Sequence, residues 1–171
     1  MLKPEVKKLL NEQVNKEFFS AYLYLAIANY YGGKNLNGFE NWFLVQAKEE
    51  QDHAMLIRQY LLNEGEEVTL AAVEAPQNTF ESFLEPLTVS LKHEQSVTES
   101  IYAIYAQAQK AGDYRTMNFL NWFVTEQGEE EKNADDLIKR YELFGGDPKG
   151  LYMLNADLAA RTYAPPSLVL S

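Results

Sequence analysis

Four glutamates stand where four apolar seams should run unbroken. Glu17, Glu50, Glu94 and Glu130 each take a core position in a stretch whose apolar side chains recur every three or four residues, the spacing of one buried helix face. The first seam reads Leu10, Val14, Glu17, Ala21, Tyr24, Ala28, and the second Phe39, Phe43, Gln46, Glu50, His53, Ile57, Tyr60. The third reads Leu84, Leu87, Leu91, Glu94, Thr98, Ile101, Tyr105, and the fourth Phe119, Phe123, Gln127, Glu130, Ala134, Leu137, Tyr141. His53 lies one turn beyond Glu50, and Glu130 one turn beyond Gln127, each pair on one face. Glu17 and Glu50 are equidistant from Gly33/Lys34, where a turn falls. Glu94 and Gln127 are equidistant from Lys110/Ala111, beside a break at Gly112. In an antiparallel hairpin, residues equidistant from the turn share a height, so Glu17 is expected to face Glu50, and Glu94 to face Gln127.

A core has reason to reject such groups. Burying one unpaired charge costs several kcal/mol even after relaxation, and like charges side by side force some carboxyls to stay protonated. The seams offer no lysine or arginine at that level. Bound cations resolve the conflict: the four glutamates carry four negative charges, which two divalent ions balance, with His53 neutral and Gln127 uncharged. Oxygen-rich ligands with one imidazole favour iron or manganese over copper, and zinc competes. The competing explanation is a set of polar core defects satisfied by water. It would serve for one glutamate but is strained by four at matched heights.

The elements that position these residues are helices. They are expected over about 4–31, 37–64, 83–111, 113–144 and 148–162, with a tail over 163–171, all in one domain spanning 1–171. Gly32-Gly33, Gly65, Gly112 and Gly145-Gly146 punctuate them. Pro4 and Pro148 fit first helical turns, with Asp147 as an N-cap. A helix of about 28 residues is about 42 Å long. The tight first and third links make antiparallel pairs, and the long link between the pairs can travel the length of a bundle. The fold class is therefore all-α: an antiparallel four-helix bundle with one long crossover and a short C-terminal fifth helix.

Composition narrows the chemistry. The 171 residues contain no cysteine, which excludes disulfides, zinc–thiolate sites, iron–sulfur clusters and thiol catalysis. A net charge of −10 argues against nucleic acid or an anionic membrane as partner. No apolar stretch follows the basic start, so no signal peptide is expected. No run reaches the roughly 20 apolar residues of a membrane span. A cytoplasmic location is expected.

Taken together, Asn11-Glu12-Gln13, Glu17, Tyr24, Glu49-Glu50 with His53, Glu94, Asn118-Phe119-Leu120 with Trp122, and Glu126-Gln127-x-Glu129-Glu130-Glu131-Lys132 resemble the bacterial non-haem ferritins. The resemblance runs from Met1 to about Thr162. Ferritin-like folds are the usual example of the one-crossover bundle. What the resemblance implies is a ferroxidase centre that oxidises ferrous to ferric iron. One iron would be held by Glu17, Glu50 and His53, the other by Glu50, Glu94 and Glu130, with Gln127 close by. It also implies a third iron site from Glu49, Glu126 and Glu129, sharing Glu130, and Tyr24 as an electron donor beside the centre. The bare alternatives are a solvated acidic face for Glu49, Glu126 and Glu129, and packing for Tyr24. Trp122 is read as core and His93 as an exposed histidine.

The resemblance further implies a cage of 24 identical subunits, with the fifth helix lining the four-fold axes. Oxygen or hydrogen peroxide would be the oxidant, and ferric oxyhydroxide would collect inside. Two departures set this chain apart from haem-binding bacterioferritins. Gln127-x-x-Glu130 replaces their second Glu-x-x-His, and Gln51 stands where their haem methionine would be. No haem is expected. The rivals fit less well. Rubrerythrins need cysteine pairs, and the DNA-protecting mini-ferritins place iron between subunits and lack the fifth helix. A non-catalytic bundle holding zinc stays open, and oxygen uptake on adding iron would separate it.

Overall fold

The computed structural model describes residues 2–170; Met1 and Ser171, the outer ends of the expected domain, lie outside the described residues. Its helices are α1 (Pro4–Gly32), α2 (Asn37–Asn63), α3 (Glu85–Ala111), α4 (Tyr114–Phe144) and α5 (Pro148–Leu158), with no strand among the described residues. No described helix is long and apolar enough to cross a membrane. Local chemistry sets the ends. Pro4, Pro86 and Pro148 sit in first turns, where a missing N–H is harmless. Asp113 and Asp147 cap α4 and α5, accepting from Thr116 N–H at 3.1 Å and Gly150 N–H at 2.8 Å. Gly112 ends α3 with φ +66°, a left-handed conformation that favours glycine.

The hairpins α1–α2 and α3–α4 pack side by side. Tyr31 OH donates to Phe83 C=O at 2.6 Å, Tyr24 OH to Glu94, and Lys16 Nζ to Ser100 Oγ at 2.6 Å. Position therefore falls on α1 as it rises on α3, so these two are antiparallel. The same holds for α2 against α4: Phe39 meets Tyr141, Gln46 meets Glu130, and Tyr60 stacks on Phe119. The link over 64–84 is pinned along α1. Asn11 exchanges two hydrogen bonds with the Thr69 backbone, at 2.7 and 2.9 Å, and Asn15 donates to Ala72 C=O at 3.2 Å.

Two apolar clusters fill the bundle. One gathers Val6, Leu10, Ile57, Ile101 and Phe123; the other gathers Ile27, Tyr31, Phe43, Leu87 and Leu137. The seam glutamates lie in the layer between them. The fifth helix ends at Leu158, four residues short of the expected 162, because Asn41 Nδ2 takes the Leu158 and Arg161 carbonyls at 3.3 and 3.0 Å. Helix α5 is held at the start of α2, where Asn155 Oδ1 accepts from the Gly38 and Phe39 N–H groups at 2.8 and 3.2 Å.

Candidate metal centre

Each long helix contributes to the layer between the clusters: α1 gives Glu17, α2 gives Glu50 and His53, α3 gives Glu94, and α4 gives Gln127 and Glu130. All six are buried, with Glu17, Glu50, Glu94 and Gln127 at 1% exposure or less. Ligand atoms of Glu17, Glu50 and His53 lie within 4.8 Å of one another, as do those of Glu50, Glu94 and Glu130. Glu50 is common to both groups. The equal-height pairings appear in the bonding: Gln127 Nε2 donates to Glu94 Oε2 at 3.1 Å, and Glu17 and Glu50 share a cation-sized group.

The surrounding amides fix the carboxylates. Gln13 Nε2 donates to Glu17 Oε1 at 2.8 Å, and Gln46 Nε2 to Glu130 Oε2 at 2.6 Å, with a longer approach of 3.4 Å to Glu50 Oε1. Tyr24 OH donates to Glu94. Glu17 Oε2, Glu50 Oε2 and His53 Nδ1 are nonetheless buried without a hydrogen bond. Buried polar atoms are ordinarily paired. Buried oxygens and an imidazole nitrogen left unpaired on three residues whose ligand atoms lie within 4.8 Å of one another are the donor set a divalent cation fits.

Electrostatics agree. Burial pushes all four carboxyls above the usual range. The rise is large for Glu50, where Glu94 and Glu17 add repulsion after burial, and for Glu130, where Glu50 and Glu94 do. Burial first, and Glu94 second, hold the Tyr24 hydroxyl protonated well beyond its usual range. Among the described residues, no lysine or arginine bonds to these six directly; charge balance must come from protons or from cations.

The three remaining acidic residues divide. Glu126 reaches the layer: His53, Glu126 and Glu130 form a third group within 4.8 Å, with His53 Nε2 3.9 Å from Glu126. Glu49 is instead held by Arg161 at 2.6 Å, and Glu129 is exposed; neither joins a cation-sized group among the described residues. Trp122 is partly buried, its ring 5.6 Å from that of His53. His93 is not the exposed histidine expected. It is half-buried, 2.7 Å from Ser20 Oγ and against Phe19 and Tyr24, because α1 packs over that side of α3. Sequence reasoning placed Gln46 in the second seam without a role, although a polar residue one turn before Glu50 was the available signal. Arg161 carried no signal.

This architecture has known counterparts. A family model described as the Ferritin-like domain matches residues 7–144. Relatives named bacterial non-heme ferritin from Staphylococcus epidermidis and Staphylococcus aureus are 39% identical over 163 residues, covering 95% of this chain and 98% of theirs. Among solved structures, the open-pore ferritin of the hyperthermophilic archaeon Archaeoglobus fulgidus superposes with a TM-score of 0.92 at 38% identity, over 94% of this chain and 98% of that one. A closed form of the same ferritin, engineered by site-directed mutagenesis, gives 0.94 at 37% identity, over 96% and 100%. Matched across all four long helices and at this identity over nearly its whole length, the chain belongs to the ferritin family.

Proposed function

We propose that this protein stores and detoxifies iron as a ferroxidase, oxidising ferrous ions in the buried carboxylate layer and depositing the ferric product inside a protein cage. The observation that carries this reading is the pair of cation-sized groups sharing Glu50, with orphaned lone pairs on Glu17, Glu50 and His53. Iron is here a substrate. Glu17, Glu50 and His53 would hold one ferrous ion; Glu50, Glu94 and Glu130 would hold the other, with Gln127 steadying Glu94. Two ferrous ions side by side can deliver two electrons in one encounter, enough to take dioxygen to hydrogen peroxide or hydrogen peroxide to water. The carboxyls, protonated more readily than usual by burial, release protons as the cations bind. Tyr24, which donates to Glu94, would supply an electron. A third iron position draws on Glu126, Glu129 and Glu49, with Glu130 shared.

Assembly into a homo-oligomeric cage of 24 subunits in the cytoplasm belongs to the same proposal. Tyr22, Leu25, Leu44 and Leu70 expose apolar surface around α1, α2 and the crossover, and Tyr152 and Met153 do so on α5. Such patches mark contact surfaces.

Oxygen uptake is the test. Two ferrous ions per chain are added anaerobically, then air, while oxygen consumption and near-ultraviolet ferric absorbance are followed for wild type and for Glu50→Ala with His53→Ala. Fast oxidation by wild type alone is expected. Equal, slow oxidation by both would sink the ferroxidase reading and leave a bundle that holds another metal.

A further inference from the structure

Beyond α5 the chain turns back along α2 and α4. The Tyr163 hydroxyl donates to Asp52 Oδ2 at 2.6 Å, and the Lys48 ammonium lies 3.6 Å from the centroid of the Tyr163 ring. Further on, Trp122 Nε1 donates to Ser167 Oγ at 2.8 Å, and Leu168 and Leu170 pack against the apolar cluster around Ile57 and Phe123. Residues 159–170 thus form a strap across the side of the bundle from which Glu49 emerges.

Arg161 is the centre of that strap. Its Nη2 meets Glu49 Oε2 at 2.6 Å, and its Nη1 donates to Gln46 Oε1 at 2.9 Å and to Trp42 C=O at 3.1 Å. The guanidinium lies 4.2 Å from the centroid of the Trp42 ring. Gln46 in turn donates to Glu130 and approaches Glu50. One fixed cation therefore holds Glu49 with one arm. With the other it orients the amide that touches two carboxylates of the metal layer. The Arg161 and Glu49 side chains are 16% and 21% exposed, so water screens the pair only partly, and charge-assisted bonds of this kind are the strong ones.

We propose that Arg161 is a built-in occupant of the third cation position. While the strap is docked, the centre accepts two metal ions; a third binds only by displacing the guanidinium from Glu49 and lifting the strap. The inference rests on the two-cation reading above. A metal ion and Nη2 compete for the same Glu49 oxygen, and a fixed positive charge beside it repels an incoming dication. Because an incoming ion must first break this pair, third-ion binding to the wild type is weakened roughly ten- to a hundredfold. Arg161 contributes no ligand; it is a positioning residue that sets how many ions bind.

The strap reports its own position, because both tryptophans of the chain, Trp42 and Trp122, touch it. Zinc, redox-inert and optically silent, serves as the probe. Metal-free wild type, Arg161→Gln, Arg161→Gln with Glu49→Gln, and Tyr163→Phe with Ser167→Ala are titrated by calorimetry while tryptophan emission is followed. In wild type, two zinc ions bind tightly and a third binds at least about tenfold more weakly, with a further emission change at that third step, separate from any that zinc at His53 causes through Trp122. Arg161→Gln strengthens the third step about tenfold or more and removes its emission change. Adding Glu49→Gln abolishes the gain. The variant that keeps Arg161 but loosens the strap strengthens the third step severalfold. Equal third-step affinity in wild type, Arg161→Gln and the loosened variant overturns the proposal. So does third-ion binding to wild type without an emission change. Failure of the underlying two-cation reading looks different: Glu50→Gln would then bind the first two zinc ions as tightly as wild type.

Discussion

Glu50→Gln should stabilise the metal-free protein and at the same time deprive it of metal. Glu50 faces ionisable neighbours on three sides, Glu17, Glu94 and Glu130. Two unit charges 4.8 Å apart repel by roughly 3–4 kcal/mol at an effective dielectric constant of about 20. Burial and the repulsion from Glu94 and Glu17 hold the Glu50 carboxyl well above the usual range, so protonation already relieves much of this. What remains is a part of that repulsion, about 1–3 kcal/mol. Glutamine removes the charge at nearly constant volume and still accepts from Gln46. For a chain of this size the metal-free Tm should rise by roughly 2–10 °C. Zinc should raise the wild-type Tm by mass action and the variant's far less, since both cation groups lose their common ligand. Scanning calorimetry of chelator-treated protein, with and without zinc, reads both effects. A lower metal-free Tm, or an undiminished zinc response, would refute the reasoning.

Three further outcomes follow from the same geometry. All four seam carboxyls are raised by burial, so above the ordinary carboxylate value the folded metal-free chain holds more protons than the unfolded one. Its stability then falls as pH rises through the raised values. His93, lowered by burial to about 4, acts in the opposite sense, but its contribution is complete above its unfolded value near 6.5. Above that value the metal-free Tm should therefore fall as pH rises, and calorimetry in buffers of different ionisation enthalpy should show zinc binding releasing protons. Tyr24→Phe keeps the ring against Phe43 and removes only the bond to Glu94. Zinc affinity should drop by less than about tenfold, while a tyrosyl signal seen by electron paramagnetic resonance after ferrous iron meets oxygen should vanish. At Gly38 a Cβ would come 1.7 Å from the Asn155 carbonyl oxygen. Gly38→Ala should undock α5 and cost roughly 2–3 kcal/mol, two hydrogen bonds and their packing, read as a lowered Tm with the four long helices intact by circular dichroism.

Within each hairpin the heights of the polar residues were legible in the sequence. Helix rise is uniform and the glycine turns lie beside the fold-back points, so equidistance from Gly33/Lys34 or from Lys110/Ala111 converts directly into contact. How the hairpins dock on each other was not. Bringing Glu50 beside Glu94 depends on where the crossover lies. That is set by Asn11 and Asn15 reaching the backbone of Thr69 and Ala72, and a side chain that bonds a carbonyl does not announce which carbonyl. The same cause shortened the last helix: Asn41 is far from Leu158 in sequence, yet it takes the carbonyl that a further turn would have used.

The contrast between Glu50 and Arg161 shows why one part of the centre was readable and the other silent. A glutamate in a helical seam violates a strong expectation, because every third or fourth residue around it is apolar. The violation marks the site. Arg161 follows the last helix in a stretch with no period to violate, and an arginine there looks like any solvated surface charge. Its partners Trp42, Gln46 and Glu49 do recur at helical spacing on α2, but that row reads as a mixed face until something is laid across it. Periodic elements expose their exceptions and aperiodic segments do not. The control of a centre built from helices is thus most easily overlooked where it is exerted by the chain after them, as Arg161 would exert it over Glu49.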